Sequence, residues 1–242
     1  MNLLVHETPQ ELAHAAARDF AAKAQESMGE RRRFAVALAG GSTPKATYEV
    51  LARDHAHELD WSKIHVFFGD ERTVPPDHED SNYRMAQEAL LSRVPVGSVH
   101  RMRCELPPEE AASAYEQELR EFFGTPDEPP SFDQILLGLG EDGHTASLFP
   151  HTPALDVTDR WVVANPVEKL DTIRLTLTVP VINSARVVNF LVAGEGKAGA
   201  LREILEGDAD PHEYPAKFVR PEDGDLTWMV DRTAAKLLQE TR

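Results

Sequence analysis

Asp142 and His144 stand two residues apart in Gly138-Leu139-Gly140-Glu141-Asp142-Gly143-His144-Thr145-Ala146-Ser147-Leu148-Phe149-Pro150, just where an apolar run from Phe132 to Leu139 ends. An imidazole is the side chain best suited to move a proton near neutral pH. A carboxylate beside it can fix its tautomer and support the imidazolium that forms. Glycine lets backbone pass close to a ligand and take positive φ. A strand that stops in glycines and then presents this pair is a candidate active-site floor, with His144 as general base.

Three more polar loops follow apolar runs: Gly40-Gly41-Ser42-Thr43-Pro44, Gly69-Asp70-Glu71-Arg72 and Gly194-Glu195-Gly196-Lys197. The first suits a phosphate, because amides at a helix start point outward and the helix dipole favours an anion there. It is not a Walker loop, and capping by Ser42 or Thr43 is the plainer alternative. Arg72 can fork onto phosphate or carboxylate oxygens or pair with a neighbouring acid. Lys197 at a helix start works against the dipole, so it either meets an anion or is a mobile surface lysine. Arg174 shares a strand face with Thr176 and Thr178, as a ligand contact or a snorkelling arginine. Asp70 is a second carboxylate that could orient His144.

Other chemistries find little support. Cys104 is the single cysteine, which excludes an internal disulfide and a cysteine-rich zinc site, and no glycine-rich turn exposes it as a nucleophile. His6, His14, His55, His57, His65, His78, His100, His151 and His212 form no metal-ligand spacing, so no metal is expected. No serine occupies a Gly-x-Ser-x-Gly elbow. Gly138-x-Gly140-x-x-Gly143 matches the dinucleotide fingerprint, but it lies past mid-chain and Glu141 and Asp142 would repel pyrophosphate. No cofactor is expected.

The 242 residues carry a formal net charge of −16, with 41% hydrophobic and 27% charged residues. That balance fits a water-soluble globular protein and repels nucleic acid and anionic membranes. An anionic substrate therefore needs a locally positive site. Arg31-Arg32-Arg33 reads as a solvated turn. No apolar run reaches the roughly 18 residues of a membrane span, and residues 1–9 lack a signal-peptide layout. The expectation is a cytoplasmic protein, monomeric or a small homo-oligomer.

Thr8-Pro9-Gln10-Glu11 predicts a capped helix start, running to about Ser27. Helices are also expected from Ser42, from Ser81-Asn82 through Leu91, from Pro107-Pro108 through Phe123, over Ala198–Leu205 and over Asp231–Gln239. Strands are expected at Phe34–Ala39, Ile64–Phe68, Phe132–Leu139, Trp161–Ala164, Ile173–Leu177 and Val187–Ala193, with a proline- and acid-rich loop at Gly124–Pro130. Alternating strands and helices argue for a three-layer α/β/α fold, a mostly parallel central sheet covered on both faces. No linker, repeat or composition break divides residues 1–242, so one domain is expected. In such sheets ligands bind outside the carboxyl ends of the strands.

These blocks, with Asp70-Glu71-Arg72-x-Val74-Pro75, Ser81-Asn82-Tyr83 and Trp228 to Ala235, resemble the 6-phosphogluconolactonase family. That family lies within the wider, modified Rossmann-like fold group of amino-sugar phosphate deaminases and sugar-phosphate isomerases. The resemblance spans nearly the whole chain. It implies opening of 6-phospho-D-glucono-1,5-lactone by water, the second step of the oxidative pentose phosphate pathway. His144 would be the base, oriented by Asp142 or Asp70. Gly40, Gly41, Ser42, Thr43, Arg72 and Lys197 would hold the phosphate, with Arg174 a weaker candidate. The deaminases share the Asp-Gly-His element but end it in Asn-Glu-Pro; here the glutamate position is Phe149, which moves no proton. They also carry an aromatic residue where this chain has Arg72. A non-catalytic sugar-phosphate sensor is the remaining alternative, and the acidic first 30 residues offer it no basic recognition helix.

Overall fold

Thr8 opens the first helix as its sequence predicts: its hydroxyl accepts from Glu11 N at 3.1 Å, and Glu11 reaches back to the Glu7 amide at 3.1 Å. The computed structural model describes residues 1–125 and 127–239. Pro126, inside the expected Gly124–Pro130 loop, and residues 240–242 lie outside the described residues. The elements in order are β1 (Asn2–His6), α1 (Pro9–Arg31), β2 (Phe34–Leu38), α2 (Ser42–Asp54), β3 (Ile64–Phe68), β4 (Asp70–Arg72), α3 (Asn82–Ala86), β5 (Ser98–Val99), α4 (Pro108–Phe123), β6 (Gln134–Leu137), β7 (Val162–Val167), β8 (Thr172–Leu177), α5 (Val179–Asn183), β9 (Val187–Val192), α6 (Ala198–Leu205) and β10 (Asp225–Asp231).

Seven strands form a parallel sheet in the order β1-β10-β9-β6-β2-β3-β5. Every residue of β2 is buried, and successive side chains must point to opposite faces. Phe34, Val36 and Leu38 accordingly join a core with Phe20 of α1 and Leu51 of α2. Ala35 and Ala37 join another with Leu119 of α4, Ile182 of α5 and Leu201 of α6. A strand apolar on both faces requires helices on both, which yields the three layers.

The strand order reverses between β2 and β6. From β2 the chain builds outward through β3 and β5, then crosses back to β6 and builds the other way through β9 and β10. Carboxyl ends at such a switch point leave a crevice, where ligands of open α/β sheets bind. Gly40 follows β2 and Gly138 follows β6, so backbone without side chains lines that crevice.

Several expectations need correction. The Gly69–Arg72 loop is largely strand: β4 joins β8 and β7 in a separate three-stranded antiparallel sheet, with Arg72 directly opposite Arg174. The alternation of β8 is the mark of a half-buried antiparallel strand rather than a member of the parallel sheet. No helix spans Asp231–Gln239; Asp231 ends β10, and turns follow it. Its Oδ1 accepts from Ala234 N at 2.9 Å and Gly194 N at 3.0 Å, holding the chain in a turn against the Gly194 loop. The helix α1 runs four residues further than expected, to Arg31, and ends at Arg32 in the left-handed conformation (φ 64°). Arg31 Nε then reaches Asp133 at 2.8 Å and the Arg33 guanidinium lies 4.6 Å over the Phe122 ring, so the basic tripeptide is not merely a solvated turn.

Candidate active site

A cavity of 410 Å³ opens at the switch point, lined by the loops after β2 and β6, by β4 and β8, and by Lys197. A larger one of 790 Å³ lies near Asn183 and Arg186, by the start of β9, and no histidine lines it. Size does not decide between them; the chemistry does.

His144 Nδ1 lies 2.5 Å from Asp142 Oδ1. An ionised carboxylate only accepts, so Nδ1 carries the hydrogen and Nε2 keeps its lone pair. The Phe149 ring stacks on the imidazole with centroids 4.1 Å apart and planes inclined by 24°. One nitrogen bonded and one face covered leave the imidazole a single orientation. Burial pushes the Asp142 carboxyl upward, but the hydrogen bond and charge of His144, with Lys169, hold it well below the usual carboxylate range. A depressed native value means that Asp142 contributes stability above the unfolded value of about 4, and that this is lost as pH falls toward the native value.

Local backbone makes this pair possible. The loop folds back so that Gly140 N donates to His144 O at 2.8 Å and Gly143 N to Gly140 O at 3.1 Å. Gly143 takes φ 78°, and a side chain there would meet the Tyr214 ring at 2.6 Å. Thr145 Oγ1 donates to Gly138 O at 2.8 Å, tying the far side of the loop to the strand end.

Asp70 plays a different part. Its Oδ2 accepts from Ser147 Oγ at 2.7 Å and its Oδ1 from Asn82 Nδ2 at 3.3 Å, and no hydrogen bond joins it to His144. The carboxylate that orients the imidazole is therefore Asp142. Glu71, which carried no assigned role in sequence, is buried and caps the following segment, accepting from Asn82 N at 2.7 Å and Tyr83 N at 2.8 Å. Burial raises its carboxyl, and the amides of Tyr83, Asn82 and Arg72 oppose that.

Arg72, Arg174 and Lys197 all reach the cavity. The Arg72 guanidinium donates to the Asp80 carbonyl, which fixes one arm. Arg174 Nε is buried with no hydrogen-bond partner. Burial and the facing Arg72 charge together hold the Arg174 guanidinium below its usual value. Like charges directly opposite across two strands are unfavourable, and a buried donor without a partner costs about 1–3 kcal/mol. An anion between them would relieve both costs. Lys197 makes no ion pair among the described residues, which leaves its ammonium available to the same anion.

The glycine loop after β2 is met in part. Gly40 and Gly41 line the cavity, whereas Ser42 and Thr43 begin α2 outside its lining. Gly41 is the cap, at φ 99°, and no side chain bonds the first amides. Neither hydroxyl caps the helix, so the free amides are what this helix end offers a ligand. Gly40 is required by packing, since a side chain there would meet Asn82 Oδ1 at 1.9 Å.

Burial, with the Glu71 and Glu105 carboxylates, pushes the Cys104 thiol up to about 12. The thiolate is the reactive form. Native protein at pH 8 is therefore expected to take up iodoacetamide at Cys104 far more slowly than unfolded protein, without loss of activity in the same interval. Mass spectrometry and an activity assay on the alkylated sample check this.

Fold and site together define a three-layer α/β protein that sets a cationic cup beside one oriented imidazole. Residues 7–228 match the family model described as glucosamine-6-phosphate isomerases/6-phosphogluconolactonase, and the chain belongs to that family. It is 50% identical over 218 residues to a 6-phosphogluconolactonase of Synechocystis, covering 88% of each chain. The 6-phosphogluconolactonase structure from Trypanosoma cruzi superposes with a TM-score of 0.88 at 32% identity, over 98% of this chain and 97% of that one. The one from Trypanosoma brucei gives 0.86 at 35% identity, over 98% of both.

Proposed function

We infer that this chain hydrolyses 6-phospho-D-glucono-1,5-lactone to 6-phospho-D-gluconate, as a carboxylic ester hydrolase of the oxidative pentose phosphate pathway. His144 Nε2 takes a proton from water as the water oxygen attacks the lactone carbonyl. The bond from that carbon to the ring oxygen then breaks, and the imidazolium returns its proton to the departing oxygen. Asp142 holds the ring and supports its positive charge. Arg72, Arg174, Lys197 and the amides after Gly40 grip the phosphate, and this remote binding aims the ester at the base. The whole chain acts as one domain on a small sugar-phosphate lactone, and its net charge of −16 argues against nucleic acid as a partner. No helix among the described residues is long and apolar enough to cross a membrane, in keeping with work in the cytoplasm.

The observation that carries this reading is the imidazole's company: one carboxylate on Nδ1 and an inert phenyl ring on its face. Ring opening of an amino sugar calls on a second proton-moving group there, and Phe149 supplies none. Freshly made lactone should release acid faster with the protein than without it, while glucosamine 6-phosphate in parallel releases no ammonia. Ammonia release with no lactone opening would replace this reading by the deaminase one.

The phosphate grip has its own test. Arg174→Met is expected to raise KM about ten- to a hundredfold, the worth of a charge-assisted contact. Inorganic phosphate is expected to raise the Tm of the parent, and the variant should lose that rise without a lower Tm of its own, because the facing Arg72 charge loses its repulsion. Unchanged KM and an unchanged phosphate response would place the anion elsewhere.

A further inference from the structure

Between β7 and β8 the chain makes one tight turn, Glu168–Leu170, closed by Asp171 at φ 47°. This turn carries Lys169 and Leu170 to the rim of the cavity. Lys169 Nζ lies 3.0 Å from Asp142 Oδ2, the oxygen that His144 does not use. One carboxylate is thus shared, its inner oxygen given to the imidazole and its outer oxygen to an ammonium from the second sheet.

We propose that Lys169 is a positioning residue for the hydrolytic step: it grips the outer oxygen of Asp142 so that the inner one faces His144, and it lowers the proton affinity of the ring. The proposal rests on the lactonase reading of the site. Its physics has two parts. Asp142 sits on a loop between Gly140 and Gly143, and both hydrogen bonds to its Oδ1 come from His144, from the ring at 2.5 Å and the amide at 3.3 Å. Lys169 is the bond to Oδ2 from a different element, and it fixes the rotation that those two leave to the outer oxygen. A bare carboxylate beside an imidazole also favours the imidazolium over the free base. A positive charge on the far oxygen offsets that pull and keeps the base available near its working pH.

The other charged groups around this pair are Glu141, next in the chain, and Asp70, Arg72, Arg174 and Lys197 across the cavity. Lys169 is the one cation bonded to Asp142 itself among the described residues. Its side chain is 69% exposed. An ion pair so exposed adds little to stability, so its effect belongs in the titration of the site rather than in Tm.

The experiment compares the parent protein, Lys169→Met and Lys169→Arg. Two quantities are read: kcat/KM against pH, and the His144 ring titration by carbon–proton NMR, assigned with His144→Gln. In Lys169→Met the acid limb and the ring midpoint should both move up by about half a unit, so that kcat/KM at pH 6 falls about threefold. KM should stay within twofold and Tm within a degree or two, and Lys169→Arg should restore the parent profile. An unmoved ring midpoint would overturn the proposal. So would a tenfold rise in KM with the limb unmoved, which would make Lys169 a phosphate ligand instead. If the parent opened no lactone, the functional reading would fall, while the NMR titration would still report whether Lys169 tunes His144.

Discussion

His144→Ala is expected to keep the fold and the substrate affinity while kcat falls about 10²–10⁴-fold, measured above spontaneous lactone opening. That range is what a positioned general base typically contributes, and the geometry assigns this ring no other work. The imidazole's bonded nitrogen is spent on Asp142, and its half-buried ring packs on Phe149. Losing it leaves a small gap beside a phenyl ring at a cavity wall, which costs little stability. The residues proposed to hold the phosphate stand on other elements, β4, β8 and the Gly194 loop, so binding of the product 6-phosphogluconate should survive. Titration calorimetry with the product and initial-rate assays with fresh lactone separate the two quantities. Loss of binding in step with kcat would mean that the ring holds substrate rather than activating water. Near-normal kcat would take His144 out of the chemistry.

The acid side of the rate profile can be assigned by sign. Asp142 is held well below the usual range and stays ionised throughout mild acid. A decline in kcat/KM on moving from pH 8 to pH 5 is therefore not protonation of Asp142. Asp142→Asn is the complementary variant. An amide either donates to Nδ1 or accepts from it, so the tautomer is no longer enforced, and the support for imidazolium is gone.

What could be read in the chain beforehand follows physical lines. Buried parallel strands are almost continuously apolar and stop at glycine, so β2, β3, β6 and β9 were visible, and with them the loops that carry Gly40, His144 and Lys197. The β1 strand was not, because it is a five-residue edge strand with four residues exposed, and its apolar run is only Leu3-Leu4-Val5 between Asn2 and His6. The β10 strand was hidden by Asp225, Thr227 and Asp231 among its apolar residues; Trp228 is buried in the core and stacks on Phe190 of β9, at 3.7 Å between ring centroids. Asp142 and Asp70 were equivalent as letters. Backbone decided between them: the turn at Gly140–Gly143 brings residue 142 onto the ring at 144, while β4 points Asp70 at Ser147. Lys169 left no trace, since it reaches Asp142 from 27 residues away across a second sheet that was not anticipated. The setting of Arg174 was hidden for a related reason. Its alternating strand was legible, but the facing Arg72, which turns a snorkelling side chain into half of a cationic pair, depends on the β4–β8 register.

Gly140→Ala is expected to lower kcat about 10²–10³-fold, nearly as much as removing the base, although it adds one methyl group and touches no charge. A Cβ at 140 would stand 2.1 Å from His144 Nδ1, 2.3 Å from Cε1 and 2.6 Å from Asp142 Oδ1. Those are the atoms of the hydrogen bond that fixes the base, and neither side chain can yield without breaking it. The backbone gives no other reason for glycine here, since Gly140 is absent from the positive-φ positions. The loss should therefore come from misplacement of the ring, with KM for the lactone little changed because the cationic residues lie elsewhere. Gly199→Ala is the matched control. Nothing lies within 4 Å of a Cβ at that position in α6, and alanine there should add about 0.5–1 kcal/mol of stability and leave kcat alone. Kinetics, thermal melts and the His144 ring resonance would be read on both variants. A Gly140→Ala protein with normal kcat and an unmoved resonance would show that the Asp142–His144 contact is dispensable, and the mechanism built on it would have to be abandoned.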